Sequence, residues 1–351
     1  MRVAFDSRPA KERHGIGRYA SCLLDALTTS GRGEIVETSR PRRCDIFHAP
    51  WLDGAMLHCP TPMVVTLHDL APLKRRGEYL RSGLRFKLRC LAVQRAARVI
   101  VPTHAVAEQA IEALDLARNR VAVIPEAPAS KLRRRSATEV NAVRERHGLP
   151  ERYLLWVGQL KSRDPRKHVA ALARAPRKLP LVLVGLAGSW AHELPDVTLT
   201  GALSDDELAA VYTGAQALVF PSDDEGFGLP PVEALACGTP VAASDIPALR
   251  EVLDGRAILR PVDDLAGLLA AAEAAQRPAA SPSAWTWEDA AEQTWEIYEQ
   301  AASLARPVAV REPQRVGLST RTVTGPSLTS STSIIAPNTP RLASSRWQKR
   351  S

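Results

Sequence analysis

Two glutamates, Glu225 and Glu233, stand eight positions apart in the stretch EGFGLPPVEALACGTPV (225–241), with two glycines and two adjacent prolines between them. Carboxylates this close support one of two chemistries. As an acid and a nucleophile or base they would flank one glycosidic bond, which needs about 5–10 Å between them. As hydrogen-bond acceptors they would instead help to hold a bound ligand. The intervening residues bear on the choice. Gly226 and Gly228 let a ligand approach the backbone closely. Pro230 and Pro231 suit the start of a helix, where the missing donor costs nothing. Free amides at such a start favour an anion. Glu225 is therefore expected on a loop before an anion site, and Glu233 in the first helical turn. Taken singly, Glu225 reads equally as a solvated loop acid, and Glu233 as an acid favoured by the helix dipole.

Three further stretches carry polar groups just after apolar runs. WVGQLKSRDPRKH (156–168) holds Gly158 and a basic cluster with Arg163, Arg166 and Lys167. Such groups can stabilise an anion; the alternative is a solvated basic loop. HGIGRYA (14–20) holds Gly15 and Gly17 after the first strand, with Arg18 as either a phosphate contact or a surface residue. VVTLHDLAPL (64–73) places His68 at a strand end, with Asp69 orienting the turn. Thr103 reads first as a helix cap. Asp223 and Asp224 read as solvated loop acids, with no metal required.

The elements that would position these groups alternate between short apolar β-rich runs and helical patterns, which argues for parallel sheets with helical crossovers. Strands are expected at 2–5, 44–49, 63–69, 98–102 and 120–125, and helices at 18–28, 86–97 and 104–114. EAPASKLRRRSATEV then reads as a polar linker leading to a short helix that ends near Gly148. The pattern restarts with strands at 153–158, 180–185, 197–201, 217–221 and 239–244. Helices are expected near 167–175, 204–214, 231–237 and 263–276, with a capping box at Ser204 and Glu207. A last helix, 284–304, carries Trp285, Trp287, Trp295 and Tyr298. The fold class is α/β, with two facing Rossmann-like domains and a cleft between them. The expected division is 1–148, 149–283, a helix at 284–304 that packs back toward the first domain, and a basic disordered tail at 305–351.

The chain of 351 residues is 45% hydrophobic, enough for two cores. No apolar run approaches the roughly 18 residues of a membrane span, and the N-terminus reads as a strand rather than a signal peptide. Five scattered cysteines without a CxxC point to a reducing cytoplasm and no structural zinc. The net charge of +8 is uneven: residues 1–150 hold 26 basic and 15 acidic side chains, residues 151–305 hold 12 and 22, and the remainder 8 and 1. A basic first half suggests an anionic partner such as a lipid phosphate, and no nucleic-acid signature accompanies it. Residues 74–98 concentrate nine basic residues and one acid. They read equally as a peripheral contact with anionic membrane and as a solvated basic helix with a buried apolar stripe.

The string at 225–241 resembles the signature of retaining glycosyltransferases of family 4, EGFGLPxxEAxAxGxPV. It matches at Glu225, Gly226, Phe227, Gly228, Leu229, Pro230, Glu233, Ala234, Gly238, Pro240 and Val241. The basic loop, the glycine loop and the T-x-H-D segment resemble other parts of that family, over about residues 1–304. Two departures stand out: Gln159 replaces a frequent arginine, with Arg163 as the candidate substitute, and VIPEAPA (123–129) replaces Asn-Gly-Val-Asp. The resemblance implies the GT-B fold and no metal. It implies sugar contacts by Glu225 and His68, and a ribose contact by Glu233. Arg166 and Lys167 would act at the diphosphate, with Lys167 gripping it, and the amides of Phe227, Gly228 and Leu229 would face sugar and diphosphate. It also implies that the loop at Gly15 and Gly17 lies near the transferred sugar. Members with these N-terminal patterns often transfer mannose in polysaccharide or O-antigen assembly, so the expectation is GDP-mannose as donor and a glycan or lipid-linked acceptor. The expected location is the cytoplasm, at the inner face of the cell membrane if residues 74–98 dock there. The alternatives are a glycoside hydrolase using Glu225 and Glu233, and a non-catalytic nucleotide-sugar-binding scaffold. A dinucleotide oxidoreductase is disfavoured, because no G-x-G-x-x-G follows either first strand.

Overall fold

The computed structural model of the protein describes residues 1–12, 15–70 and 83–305. The expected disordered tail and the front of the basic segment 74–98 lie outside these residues. The first half comprises β1 (Arg2–Phe5), α1 (Ile16–Thr29), β2 (Glu34–Glu37), β3 (Ile46–Ala49), β4 (Met63–Thr66), α2 (Gly83–Gln94), β5 (Arg98–Val101), α3 (His104–Leu114) and β6 (Val121–Val123). After α4 (Ala137–His147) come β7 (Leu154–Val157), α5 (Val169–Arg174), β8 (Leu181–Val184), α6 (Ser189–His192), β9 (Val197–Leu199) and α7 (Asp205–Gly214). The chain continues with β10 (Ala217–Phe220), α8 (Leu229–Ala236), β11 (Val241–Ser244), α9 (Pro247–Leu253), β12 (Ile258–Arg260), α10 (Leu265–Ala274) and α11 (Trp287–Ala305).

The strands form two six-stranded sheets, ordered β2-β1-β3-β4-β5-β6 and β12-β11-β10-β7-β8-β9. All the pairings are parallel. Helices cover both faces, which is why β3, β4, β7, β8, β10 and β11 are buried along their whole length. Alternate residues feed separate cores: Val3 and Phe5 join a cluster with α1 and α11, while Ala4 joins one with α2 and α3. The edge strands β2 and β12 were not expected from the sequence. EIVE and ILR are short and only partly buried, so they lack the apolar run that marks a central strand.

α11 lies against α1, with Trp295 and Tyr298 fully buried. The Trp295 indole donates to Ser30 Oγ at 2.8 Å. The segment read as a polar linker is in part core: Glu126, Ala127, Ala129 and Leu132 are all buried. The capping boxes at Ser136 and at Ser204 start α4 and α7. The two halves also touch directly. Thr103 caps α3, and its hydroxyl donates across to the Gly226 carbonyl at 2.9 Å. Glu251 of α9 accepts from the amides of His104 and Ala105 at 2.8 and 3.2 Å.

Candidate active site

The strand order of the second sheet reverses at β7, whose neighbours are β10 and β8. In open parallel sheets the crevice beyond the strand ends at such a switch point is where ligands bind. The loops after β7 and β10 meet there, and loops after β1, β4 and β6 of the first sheet close the far side. Between them lies a cavity of about 380 Å³, lined by Gly15, His68, Gly158, Lys167, Glu233 and the run from Glu225 to Pro230, with Arg18 and Glu126. Of the residues singled out in the sequence, Gly17, Arg163 and Arg166 fall outside this lining.

Lys167 and Glu225 come from different loops and meet as an ion pair. The ammonium also lies 5.5 Å from the centre of the Phe220 ring. Arg166, although adjacent, turns away. Its guanidinium forks onto Asp164 at 2.8–3.2 Å and reaches Asp69 of the first half at 3.7 Å. Burial opposes its charge, yet Asp164 and Asp69 hold its pKa above the usual value. Arg166 thus braces the loop and the interface, while Arg163 is exposed on the loop. His168 and Asp223 lie 3.4 Å apart, so Asp223 is not simply solvated.

Helix α8 begins at Leu229, with Gly228 as its N-cap at φ 91°, and Pro230 and Pro231 follow at once. Glu233 is therefore the fifth helical residue, just past the first turn where it was expected, because the helix starts before the prolines rather than at them. The amides of Phe227, Gly228 and Leu229 donate no backbone hydrogen bond among the described residues, so the helix start presents open donors to the cavity. Gly226 is required by packing: a Cβ there would sit 1.6 Å from the His68 carbonyl oxygen.

Glu233 is buried and held from two sides. Tyr212 donates to Oε2 at 3.0 Å, and Arg18 of the first half approaches Oε1 at 3.2 Å. Oε1 itself makes no hydrogen bond among the described residues. Burial pushes the carboxyl pKa up, while Arg18 and Tyr212 draw it back. Arg18 also pairs with Asp205 at 2.8 Å and is buried, so it is neither a surface residue nor free to bind a phosphate unaided.

Gly15 caps α1 at φ 55° and faces the cavity. Gly17 answers a steric demand instead, since a Cβ there would lie 2.0 Å from the Glu12 carbonyl. His68 lies in the lining with both ring nitrogens occupied: Nε2 is 2.9 Å from the Pro50 carbonyl and Nδ1 is 3.0 Å from Glu126. Burial works against its charge, but Glu126 and the Pro50 carbonyl outweigh it and hold the pKa above the ordinary value. Glu126 and Tyr212 escaped the sequence reading. Tyr212 looks like any core aromatic on an amphipathic helix. Glu126 did carry a signal, as the only acid in VIPEAPA and directly after a strand.

Residues 12–127 match the family model described as Glycosyltransferase Family 4, and residues 151–276 match that described as Glycosyl transferases group 1. Among curated proteins, the chain is 31% identical to the serotype-specific mannosyltransferase WbdA of Escherichia coli, over 55% of this chain and 26% of that protein. It is 29% identical to the O-antigen chain mannosyltransferase RfbU of Salmonella typhimurium, over 57% of each. The chain thus spans about a quarter of the length of one relative and little more than half of the other. Among solved structures, HepE of Anabaena, crystallised with UDP and glucose, superposes with a TM-score of 0.60 at 19% identity, over 87% of this chain and 98% of that one. Its likeness concerns the fold, two parallel sheets facing across a cleft. With both halves matched by family models and the signature at Glu225–Val241 in the cavity wall, the chain belongs to glycosyltransferase family 4 and has the GT-B fold.

Proposed function

We propose that the protein is a retaining glycosyltransferase that moves a hexose, mannose in the first instance, from a nucleotide sugar to a hydroxyl of a glycan or lipid-linked glycan. The observation that carries this reading is the convergence of Lys167, Glu225, Glu233 and the open amides of 227–229 on one cavity at the switch point. Residues 149–283 would hold the donor and residues 1–148 the acceptor.

Each group has a role that its chemistry fits. The Lys167 ammonium and the amides at the start of α8 would take the charge that builds on the diphosphate as the sugar departs. They could do so without a metal. Glu225 would accept from hydroxyls of the transferred sugar, and Glu233, whose Oε1 is ion-paired with Arg18 but makes no hydrogen bond among the described residues, from the ribose. Gly15 would let the sugar and acceptor meet close to the backbone. Neither glutamate of the signature stands as a free nucleophile: Glu225 is paired with Lys167, and Glu233 with Arg18 and Tyr212. Attack from the face the nucleotide leaves is therefore the proposed course, with the leaving phosphate taking the acceptor proton. The same pairings weigh against a hydrolase. GDP-mannose is the first donor to test, because two relatives are mannosyltransferases.

The location we propose is the cytoplasmic face of a membrane. Among the described residues no helix is long and apolar enough to cross one. Helix α2 does expose Leu84, Leu88 and Leu91, at spacings of four and three, beside the basic Lys87. A stripe of this kind suits shallow insertion next to anionic headgroups. Substituting serine at all three leucines should weaken co-sedimentation of the full chain with anionic vesicles. Unchanged binding removes the membrane contact from the reading.

A thermal-shift screen with GDP, UDP, ADP and their sugars tests the central claim, since a ligand of the native state raises its melting temperature. At least one nucleotide sugar should stabilise the protein. Lys167→Ala and Glu225→Ala should each lower transfer by about 100-fold or more. Full transfer by both variants, or no nucleotide-sugar binding by the wild type, overturns the proposal.

A further inference from the structure

The His68 contacts impose a proton count. The Pro50 carbonyl can only accept, so Nε2 must carry hydrogen. Nδ1 then faces Glu126 Oε1 at 3.0 Å, a contact that requires one proton between the two atoms. A neutral ring against an ionised carboxylate would set two lone pairs face to face. Burial opposes a charged ring, but the Glu126 carboxylate and the Pro50 carbonyl favour it and hold the His68 pKa above its ordinary value, so the pair favours the proton on the ring. Both N–H groups of the imidazolium are therefore committed to protein oxygens. His68 has no donor left for a substrate, although it stands at the position where a sugar contact was expected.

Glu126 is differently placed. It is buried at 4% exposure yet lines the cavity, on the wall formed by the first half. His68 is its only hydrogen-bond partner among the described residues, through Oε1, and leaves Oε2 available. Glu225 lines the same cavity from the second half. Resting on the glycosyl-transfer reading, we propose that Glu126 is a substrate-binding carboxylate, which accepts a hydrogen bond from a hydroxyl of the transferred hexose while its other oxygen fixes His68. The hexose would then lie between two carboxylates on opposite walls. Two acceptors at fixed positions select a hydroxyl pattern, which makes Glu126 a determinant of which sugar is transferred. This is the point where the chain carries VIPEAPA in place of the family's Asn-Gly-Val-Asp, so the contact belongs to this chain rather than to the signature.

Several groups set the charge at this pair. Tyr19 packs edge-on against the His68 ring at 4.5 Å, and neutral His48 lies behind it on β3. Asp69 adds to the attraction from the next residue. Glu12, Arg18, Lys167, Glu225 and Glu233 share the cavity.

Glu126→Gln is the informative variant. Its amide N–H can donate to a neutral Nδ1, so packing and the His68 contact survive while the charge is lost. Four measurements decide the matter. His68 ring resonances in isotope-labelled full chain should titrate at lower pH in Glu126→Gln than in the wild type; an unmoved midpoint overturns the pairing, whatever the donor proves to be. With GDP-mannose or UDP-glucose, whichever the wild type binds, the variant should lose about 10- to 100-fold in kcat for transfer. Donor hydrolysis without acceptor should fall in the same proportion, and the affinity for GDP or UDP alone should stay unchanged. Unimpaired transfer overturns the proposal. So does an effect confined to the acceptor KM, which would put Glu126 on the acceptor instead. Wild-type protein that binds no nucleotide sugar overturns the glycosyl-transfer reading itself, and the His68 titration then reports on the pair independently.

Discussion

Arg18 of α1 stands 3.2 Å from Glu233 and 2.8 Å from Asp205, so one cation of the first half is shared by two carboxylates of the second. Arg18 and Glu233 are nearly excluded from water. Removing the cation leaves Glu233 as an unpaired buried charge, which costs about 3–5 kcal/mol. Arg18→Met should therefore lower the free energy of unfolding in urea by an amount of that order. Adding Glu233→Gln should recover part of it, because the stranded charge is gone. The pH response has a definite sign. Burial already raises the Glu233 pKa, and losing Arg18 raises it further. The native state then holds a proton that the unfolded chain releases, so Arg18→Met should lose stability more steeply than wild type as pH rises above about 4.5. Parallel pH profiles would show that Arg18 does not control Glu233.

Lys167 and Glu225 are coupled for stability and, on the proposed mechanism, separate for catalysis. Lys167→Met leaves Glu225 without its partner, and Glu225→Gln does the converse. Each should cost about 1–2 kcal/mol, less than a fully buried pair because the cavity is open to water. The double variant should be more stable than the two losses added together, since neither charge is left alone. Transfer should behave oppositely. The ammonium serves the diphosphate and the carboxylate the sugar, so the double variant should be no faster than the slower single one. Recovery of transfer in the double variant would mean that the pair acts only to hold the loops.

The central strands and most helices were legible because parallel strands buried on both faces must be apolar throughout, as in LLWV, LVLV and ALVF. The edge strands EIVE and ILR were not, since an edge needs no such run. The donor-side motif was legible as a string, because glycines, prolines and two acids at fixed spacing leave few other readings. What the sequence withheld was which side chains pair. Nothing local to Arg18 says that it meets Glu233, 215 positions away, or that Arg166 is consumed by Asp164 while its neighbour Lys167 reaches Glu225. The depth of Glu233 was misread for a local reason: the prolines follow the first helical residue rather than supplying it.

Glu251 supplies a cap to a helix that is not its own. Its two oxygens accept from the amides of His104 and Ala105 at the start of α3, where Thr103 already satisfies Val106. One side chain therefore closes orphan donors of the first half from the second. Glu251→Ala should lower the unfolding free energy by about 1 kcal/mol, the usual cost of losing a cap. Thr103→Val should cost a comparable amount, since it removes both the cap and the bond to Gly226. Because both contacts also join the halves, each variant should speed proteolysis of the ligand-free protein, and a bound nucleotide sugar should reverse that effect. Unaltered proteolysis would confine the two residues to local capping.

His48 gives the protein an acid limit of its own. The ring is wholly buried on β3, with Nδ1 2.6 Å from the Tyr298 hydroxyl and Nε2 2.9 Å from Thr66 Oγ1. Burial lowers its pKa to about 3, helped by the charge of His68 and opposed by Asp6. In the unfolded chain the ring titrates near its ordinary 6.5. Between those values the unfolded state binds a proton that the native state does not, so stability falls as the pH drops, by up to roughly 1.4 kcal/mol per pH unit. Below about 3 both states are protonated and the penalty stops growing. The melting temperature should thus decline from about pH 6.5 downward, before ordinary carboxylates begin to titrate. His48→Gln should sacrifice some stability at neutral pH and flatten the slope between pH 6.5 and 5. An equal slope in the variant would assign the acid limit to other groups.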